Sequence, residues 1–267
     1  MTRVAVLGAC GRMGITVCAA VAAADDLELV AAVDPRGDDA GFVSPAPTGV
    51  ATSRSIEALE DAGAEVAIDF TSPAAALENL EWCAAHGVHA VCGTTGIDGA
   101  GLERLRAAFG PPDRPNAILA ANFSISAALM MRLAELAAPF FSGVEVIELH
   151  HDEKRDAPSG TALETARRIA AAREASGAGP FGRDPTTTWS CEGARGGVAA
   201  GGIHVHSVRL AGLVAHQAVL FGGPGQSLTI RQDSYDRISF VPGVLLATRR
   251  VASTPGFTLG LDALLAI

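Results

Sequence analysis

"RVAVLGACGRMG", residues 3–14, runs from an aliphatic stretch straight into a set of glycines. Val4, Ala5, Val6 and Leu7 are apolar without alternation, which suits a strand buried on both faces. A helical pattern over 12–24 follows, and "LELVAAVD" at 27–34 reads as a second strand. Gly8, Gly11 and Gly14 therefore fall between a strand and a helix. A helix N-terminus there offers amides without carbonyl partners and the positive end of its dipole. Glycine lets the backbone approach a pyrophosphate and lets the helix close on the strand. The spacing is G-x-x-G-x-x-G, not the usual G-x-G-x-x-G, so the weight rests on context. An acid, Asp34, ends the second strand where a ribose hydroxyl would be bound. The alternative is an ordinary glycine-rich turn. Asp34 favours NADH, because a carboxylate repels a 2′-phosphate, while Arg12 and Arg36 leave NADPH open.

Working outward, "EVAIDFT" (65–71), "HAVCGTTG" (89–96) and "AILAANF" (117–123) are further strand-like runs. Helical patterns at 73–87 and 98–108 separate them. Aliphatic strands alternating with helices predict a Rossmann-type parallel sheet covered on both faces. In such a sheet ligands lie at the carboxyl ends of the strands. "GTTG" (Gly93, Thr94, Thr95) and "AANFS" (Ala120, Ala121, Asn122, Phe123) fall there, and each alone could be a plain turn. Beside the glycine loop they become cofactor walls. Cys92, next to "GTTG", is a poor candidate for a nucleophile, since small buried cysteines are common in strands. Residues 35–49, polar and rich in Gly and Pro, read as a loop.

The second half changes character. After a helical 125–139 come "VEVIELHH" (144–151), "GGIHVHSVRL" (201–210), "LVAHQAVLFGG" (213–223) and "QSLTIRQDS" (226–234), with one clear helix at 159–174. Hairpin-like spacing predicts a mixed or antiparallel sheet, so this part is an α+β domain. Residues 176–200 read as a long loop, and 236–251 as helical but interrupted by Pro242 and Gly243.

The 267 residues suit one large domain or two small ones. A charged content of 18 % against 49 % hydrophobic residues excludes a disordered chain. The net charge of −9 argues against a nucleic-acid partner, which needs a basic face. Five cysteines without a CxxC pair suit reduced thiols. The N-terminus enters a strand directly, and no apolar run reaches membrane-span length. These features predict a cytoplasmic protein with no membrane partner.

Residues 148–161, "ELHHDEKRDAPSGT", crowd ionisable groups between a strand and a helix. Histidine moves protons near neutral pH. Lys154 adds a cation, Ser159 is a good N-cap, and Pro158 blocks an earlier helix start. The amides of Gly160 and Thr161 then face outward, ready for a carboxylate. The competing explanation is a solvated charged turn. Glu148, Asp152 and Glu153 are expected to be peripheral.

With these motifs in hand, the sequence resembles the bacterial dihydrodipicolinate reductase (4-hydroxy-tetrahydrodipicolinate reductase) family. "GACGRMG", "GTTG", "AANFS", "ELHHDEKRDAPSGTA" and the tail Arg237, Phe240, Gly243 occur in family order across nearly the whole chain. The resemblance implies a dinucleotide-binding domain over 1–122 and 238–267, with a substrate-binding and tetramerising domain over 123–237. It implies NAD(P)H-dependent reduction of a cyclic dicarboxylate in lysine and diaminopimelate biosynthesis by a homotetramer. Carried over, His150 is the general acid and Lys154 assists it. His151, Lys154, Gly160 and Thr161 hold the substrate carboxylates. Gly8, Ala9, Cys10, Gly11, Arg12 and Met13 line the cofactor together with Asp34 and the two strand-end loops. No metal is implied. Three departures stand out: Ile125, Ser126 and Ala127 where the family has a nearby glycine; "VAHQ" (214–217), which keeps His216 but loses an acid; and "RQDSYDR" (231–237).

Rival readings remain. His204 and His206 share a strand face and, with His150, His151 and His216, would suit a zinc hydrolase, but no acid or cysteine completes a ligand set at familiar spacing. Another nicotinamide-dependent dehydrogenase of similar build would lack the histidine motif. A non-catalytic NAD-binding regulator would have no use for a proton donor beside an anion cradle.

Overall fold

The structure, a computed structural model, describes residues 1–37, 50 and 52–265. Most of the loop expected at 35–49 lies outside the described residues. The chain divides into two compact units, one of residues 1–125 and 237–267 and the other of residues 126–236.

The first unit carries β1 (Thr2–Leu7), α1 (Arg12–Ala22), β2 (Leu27–Val33), β3 (Thr52–Ser53), α2 (Ala58–Asp61), β4 (Val66–Asp69), α3 (Pro73–Ala85), β5 (His89–Cys92), α4 (Gly99–Phe109) and β6 (Ala117–Leu119). Leading into and filling the second unit are α5 (Ile125–Ala137), β7 (Gly143–His150), α6 (Gly160–Ala175), β8 (Gly197–Val198), β9 (His204–Arg209), β10 (Ala215–Gly223) and β11 (Gln226–Ser234). The chain then returns to the first unit with α7 (Val241–Arg250), β12 (Phe257–Leu259) and α8 (Asp262–Leu265).

The first unit is a seven-stranded sheet of order β12-β6-β5-β4-β1-β2-β3. Its strand pairs are all parallel. Ala5 and Leu7 join Ala67, Ala90, Leu80 and Phe109 in a core on one face. Val4, Val6, Ile68, Val91 and Ile118 alternate with them and are at most 1 % exposed, so the opposite face is buried too. That explains the unalternating aliphatic runs. β12 adds the last strand beside β6. Asn116 fastens this return: its Nδ2 donates to the carbonyls of Val251 and Ala252 at 3.0 Å, and its Oδ1 accepts from the Gly256 amide at 2.9 Å.

The helical stretch expected over 236–251 divides just before Pro242: a 3-10 helix, Arg237–Phe240, gives way to α7, and Pro242 sits in the first turn of α7, where a missing amide costs nothing. Gly243 is needed there for proximity, since a Cβ would stand 2.0 Å from the Phe123 carbonyl oxygen.

The second unit has a five-stranded mixed sheet of order β11-β10-β7-β9-β8. β7 and β9 are parallel, and the other pairs are antiparallel. Val144 and Val146 of β7 pack with Val219 and Phe221 against Ala162, Ala166 and Ile169 of α6.

Candidate active site

In the first unit the glycine loop follows β1. Gly8 has φ +75°, and a Cβ there would meet the Phe70 carbonyl oxygen at 2.6 Å. Gly14 lies inside α1 with its Cα against the loop; a Cβ would fall 2.1 Å from the Gly8 carbonyl oxygen. The helix therefore packs directly on the loop, as a pyrophosphate-binding turn requires. Asp34 is 5 % exposed. Its Oδ2 accepts from the Cys10 amide at 3.0 Å and its Oδ1 from the Arg36 amide at 3.0 Å. The Arg36 guanidinium lies 3.4 Å from Oδ1 and donates to the Cys10 carbonyl at 2.8 Å. A cavity of about 610 Å³ at this edge gathers Gly8, Gly11, Asp34, Arg36, Phe70 and Thr71. Ala9 and Cys10 are buried in the loop, Arg12 is exposed and Met13 is half-buried at the start of α1.

Gly93, Thr94 and Thr95 follow β5, and Ala120, Ala121, Asn122 and Phe123 follow β6, at the same carboxyl edge but outside that cavity. What fixes them was not foreseen. Asp69, 1 % exposed at the end of β4, accepts from Thr94 Oγ1 at 2.9 Å, Thr71 Oγ1 at 2.8 Å and Asn79 Nδ2 at 2.8 Å. The Phe70 ring lies over Gly93, where a Cβ would stand 2.1 Å from it, and is 6.0 Å from the Phe123 ring. Burial pushes the Cys92 thiol up to about 12, so it is no thiolate nucleophile. These residues fit a dinucleotide: a side-chain-free turn, an amide-rich loop and a carboxylate at the ribose position.

The second unit holds the histidine stretch in the turn between β7 and α6. Ser159 caps α6, its Oγ accepting from the Ala162 amide at 3.2 Å. Gly160 and Thr161 are the first residues of the helix. Lys154 Nζ donates to Asp156 at 2.7 and 2.8 Å. His151, Asp152 and Glu153 are exposed.

Glu148 overturns the expectation that it is peripheral. It is fully buried and accepts from His150 Nδ1 at 2.5 Å, from Arg209 at 2.8 and 2.9 Å, and from the Ser159 amide at 3.2 Å. A signal for it existed: Val144, Val146 and Glu148 alternate on β7, which puts the acid on the buried face. Arg209 had no local signal, because it reaches His150 only through the parallel β7–β9 register. Burial would raise the Glu148 carboxyl, but hydrogen bonds from Arg209, Ser207 and His150 outweigh that and hold it below the carboxylate range. Burial lowers His150; Glu148 opposes this, and Lys154 and Arg209 add to it.

The other histidines go elsewhere. His204 Nε2 lies 3.2 Å from Asp184, His206 Nε2 lies 2.7 Å from Glu145, and buried His216 has Nδ1 2.8 Å from Asp233. Among the described residues no group of His, Cys, Asp or Glu is placed to hold a metal ion.

A parallel sheet of this order, with glycines after its first strand and an acid closing its second, is the architecture of nicotinamide-dependent oxidoreductases. Comparison narrows that class. Residues 2–123 match the family model for the dihydrodipicolinate reductase N-terminus, and residues 126–265 match that for its C-terminus. The chain is 51 % identical over 264 residues to the 4-hydroxy-tetrahydrodipicolinate reductase of Nocardia farcinica, covering 98 % of both chains. It is 50 % identical over 270 residues to that of Cutibacterium acnes, covering 100 % of both. The dipicolinate-bound dihydrodipicolinate reductase of Paenisporosarcina sp. TG-14 superposes with a TM-score of 0.85 at 39 % identity, over 98 % of this chain and 99 % of that one. The chain belongs to the dihydrodipicolinate reductase family, and its cofactor is a nicotinamide dinucleotide.

Proposed function

We propose that this chain reduces 4-hydroxy-tetrahydrodipicolinate to tetrahydrodipicolinate with NAD(P)H, in lysine and diaminopimelate biosynthesis; the hydroxyl leaves as water, which gives the conjugated dihydrodipicolinate that takes the hydride. The observation that carries the residue roles is the contact of His150 Nδ1 with the buried carboxylate of Glu148, beside a lysine and a capped helix start. When bound, the nicotinamide supplies a hydride to the conjugated C=C–C=N system. The negative charge this leaves must be met by a proton, which His150 gives from Nε2 with Lys154 assisting. His151, Lys154 and the amides of Gly160 and Thr161 hold the two carboxylates, a task that suits cations and a helix N-terminus. Gly8 to Met13, Asp34, Gly93 to Thr95 and Ala120 to Phe123 hold the dinucleotide.

Asp34 takes the adenosine ribose of NADH. NADH is the preferred cofactor on this reading, and Arg36, lying against the same carboxylate, supports use of NADPH as well. The working form is a cytoplasmic homotetramer built through the second unit.

A coupled assay tests this. A synthase condenses pyruvate with aspartate semialdehyde, the protein is added, and oxidation of NADH and of NADPH is followed separately. Consumption of either supports the assignment, and consumption of neither rejects it. His150→Gln should lower turnover by roughly 10²- to 10⁴-fold with cofactor affinity nearly unchanged. Lys154→Ala should lose both rate and substrate affinity. Wild-type turnover in the histidine variant would end the general-acid assignment.

A further inference from the structure

His150 is held by a pair that the proposed chemistry leaves without a task. Glu148 presents both carboxylate oxygens to donors: Oε1 to Arg209 Nη2 and the Ser159 amide, Oε2 to Arg209 Nη1 and His150 Nδ1. Of the remaining donors of Arg209, one goes from Nη1 to the Val208 carbonyl at 2.8 Å and two go to the loop that carries Lys154. Its Nε donates to the Lys154 carbonyl at 3.3 Å, and Nη2 to the Asp156 carbonyl at 2.7 Å. One carboxylate–guanidinium pair thus touches the histidine, the lysine loop and the cap of α6.

A buried ion pair of purely structural purpose is often replaceable by apolar side chains at no loss. This pair cannot be replaced so simply, because its acid is also the partner of a titrating ring. A carboxylate only accepts, so Nδ1 must carry a proton. The proton to be given away is therefore at Nε2, and the neutral ring left afterwards is the Nδ1–H tautomer.

We propose that Glu148, clamped by Arg209, is the positioning residue for His150: it fixes the ring's tautomer and direction, stabilises the imidazolium, and through the Ser159 amide keeps the start of α6 in register with the proton donor. This rests on His150 being the general acid. The logic is that of an acid orienting a catalytic histidine, with Arg209 holding the acid in turn. The charged groups facing His150 are Glu148 on its own strand, Arg209 on β9 and Lys154 in the loop; across β10 its partner is Ala215. Only Glu148 among these favours the protonated ring.

The test uses the full-length enzyme in steady-state kinetics across pH. Glu148→Gln should lower kcat by about 10- to 100-fold with a much smaller change in substrate KM. The limb of kcat/KM that falls as His150 deprotonates should move to lower pH, because the group opposing its deprotonation is gone. Glu148→Asp should recover part of the rate, and Arg209→Lys, which keeps the charge but loosens the grip on the carboxylate, should lower kcat by less than Glu148→Gln does. Glu148→Gln made in a His150→Gln background should cost at most about 2-fold, since the two act as one unit. An equal loss in both backgrounds, or an unmoved limb, overturns the proposal. Wild-type turnover in His150→Gln alone overturns the general-acid reading instead, whatever Glu148 does. Should the glutamine variant not fold, ring ¹⁵N shifts of His150 in the unmodified enzyme decide: the neutral ring is expected protonated at Nδ1, and protonation at Nε2 refutes the idea.

Discussion

Gly14 shows how one missing carbon sets the cofactor loop. In an ordinary helix interior, glycine to alanine gains up to about 1 kcal/mol. Here the new methyl would stand 2.1 Å from the Gly8 carbonyl oxygen and 2.7 Å from the Ala9 Cα. Backbone cannot yield as a side chain does, and overpacking of this kind costs about 1–3 kcal/mol. Gly14→Ala should therefore lower the urea midpoint and weaken NADH binding followed by fluorescence; a raised midpoint would contradict the packing described. This glycine was legible from its spacing and context. Glu148 was legible in principle, because it follows Val144 and Val146 at period two, but the crowd of neighbouring charges hid it. Arg209, Asp69 and Phe70 were not legible, since what they hold lies across a strand ladder or over another strand end.

Among elements, α6 carries the most chemistry at its first turn. Ser159 is 3 % exposed and does two jobs with two different atoms: its hydroxyl caps the helix and its amide reaches Glu148. Ser159→Ala removes the first and keeps the second. Loss of such a cap costs about 1 kcal/mol, within 0.5–2, so thermal unfolding should begin a few degrees lower while the pH profile of kcat/KM stays in place. A displaced profile would mean that the hydroxyl itself takes part in proton delivery. The β10–β11 hairpin shows why the departures from the family pattern hold together. Asp233 of "RQDSYDR" stands opposite His216 of "VAHQ" in register, with a carboxylate oxygen 2.8 Å from its Nδ1. The types and order of the longer elements were readable from hydrophobic period, but the short β3, α2 and β8 were not. Pro242 marks the start of α7 after the 3-10 helix Arg237–Phe240, since its first-turn position is compatible with the helix it opens.

At the scale of the whole molecule, charge is distributed unevenly in its consequences. Burial alone would raise the carboxyls of Glu135, Glu145 and Glu148, but Arg168, Arg195 and Arg209 outweigh it and hold all three below the ordinary 4.5. Asp184 is held at about 2, chiefly by Thr186. Groups whose folded values are depressed contribute stability above their unfolded values and lose it as the pH falls through the folded ones. All four lie in the unit of residues 126–236. Acidification below about pH 4.5 should therefore remove amide-exchange protection from β7 and β10 before β4 and β5. Earlier loss in β4 and β5 would show that other terms govern acid unfolding.

The return of β12 to the edge of the first sheet also bears on how a ribosome delivers this chain. β6 is made early, but its outer neighbour, Phe257–Leu259, is made only after the whole of residues 126–236. Through that interval the nascent sheet presents an unpaired strand edge, the kind of surface that invites wrong pairing. The inserted unit has all five of its strands within one continuous stretch and takes no strand from the tail. Vectorial synthesis thus closes the guest before the host, and the last strand acts as the latch that ends the period of exposure.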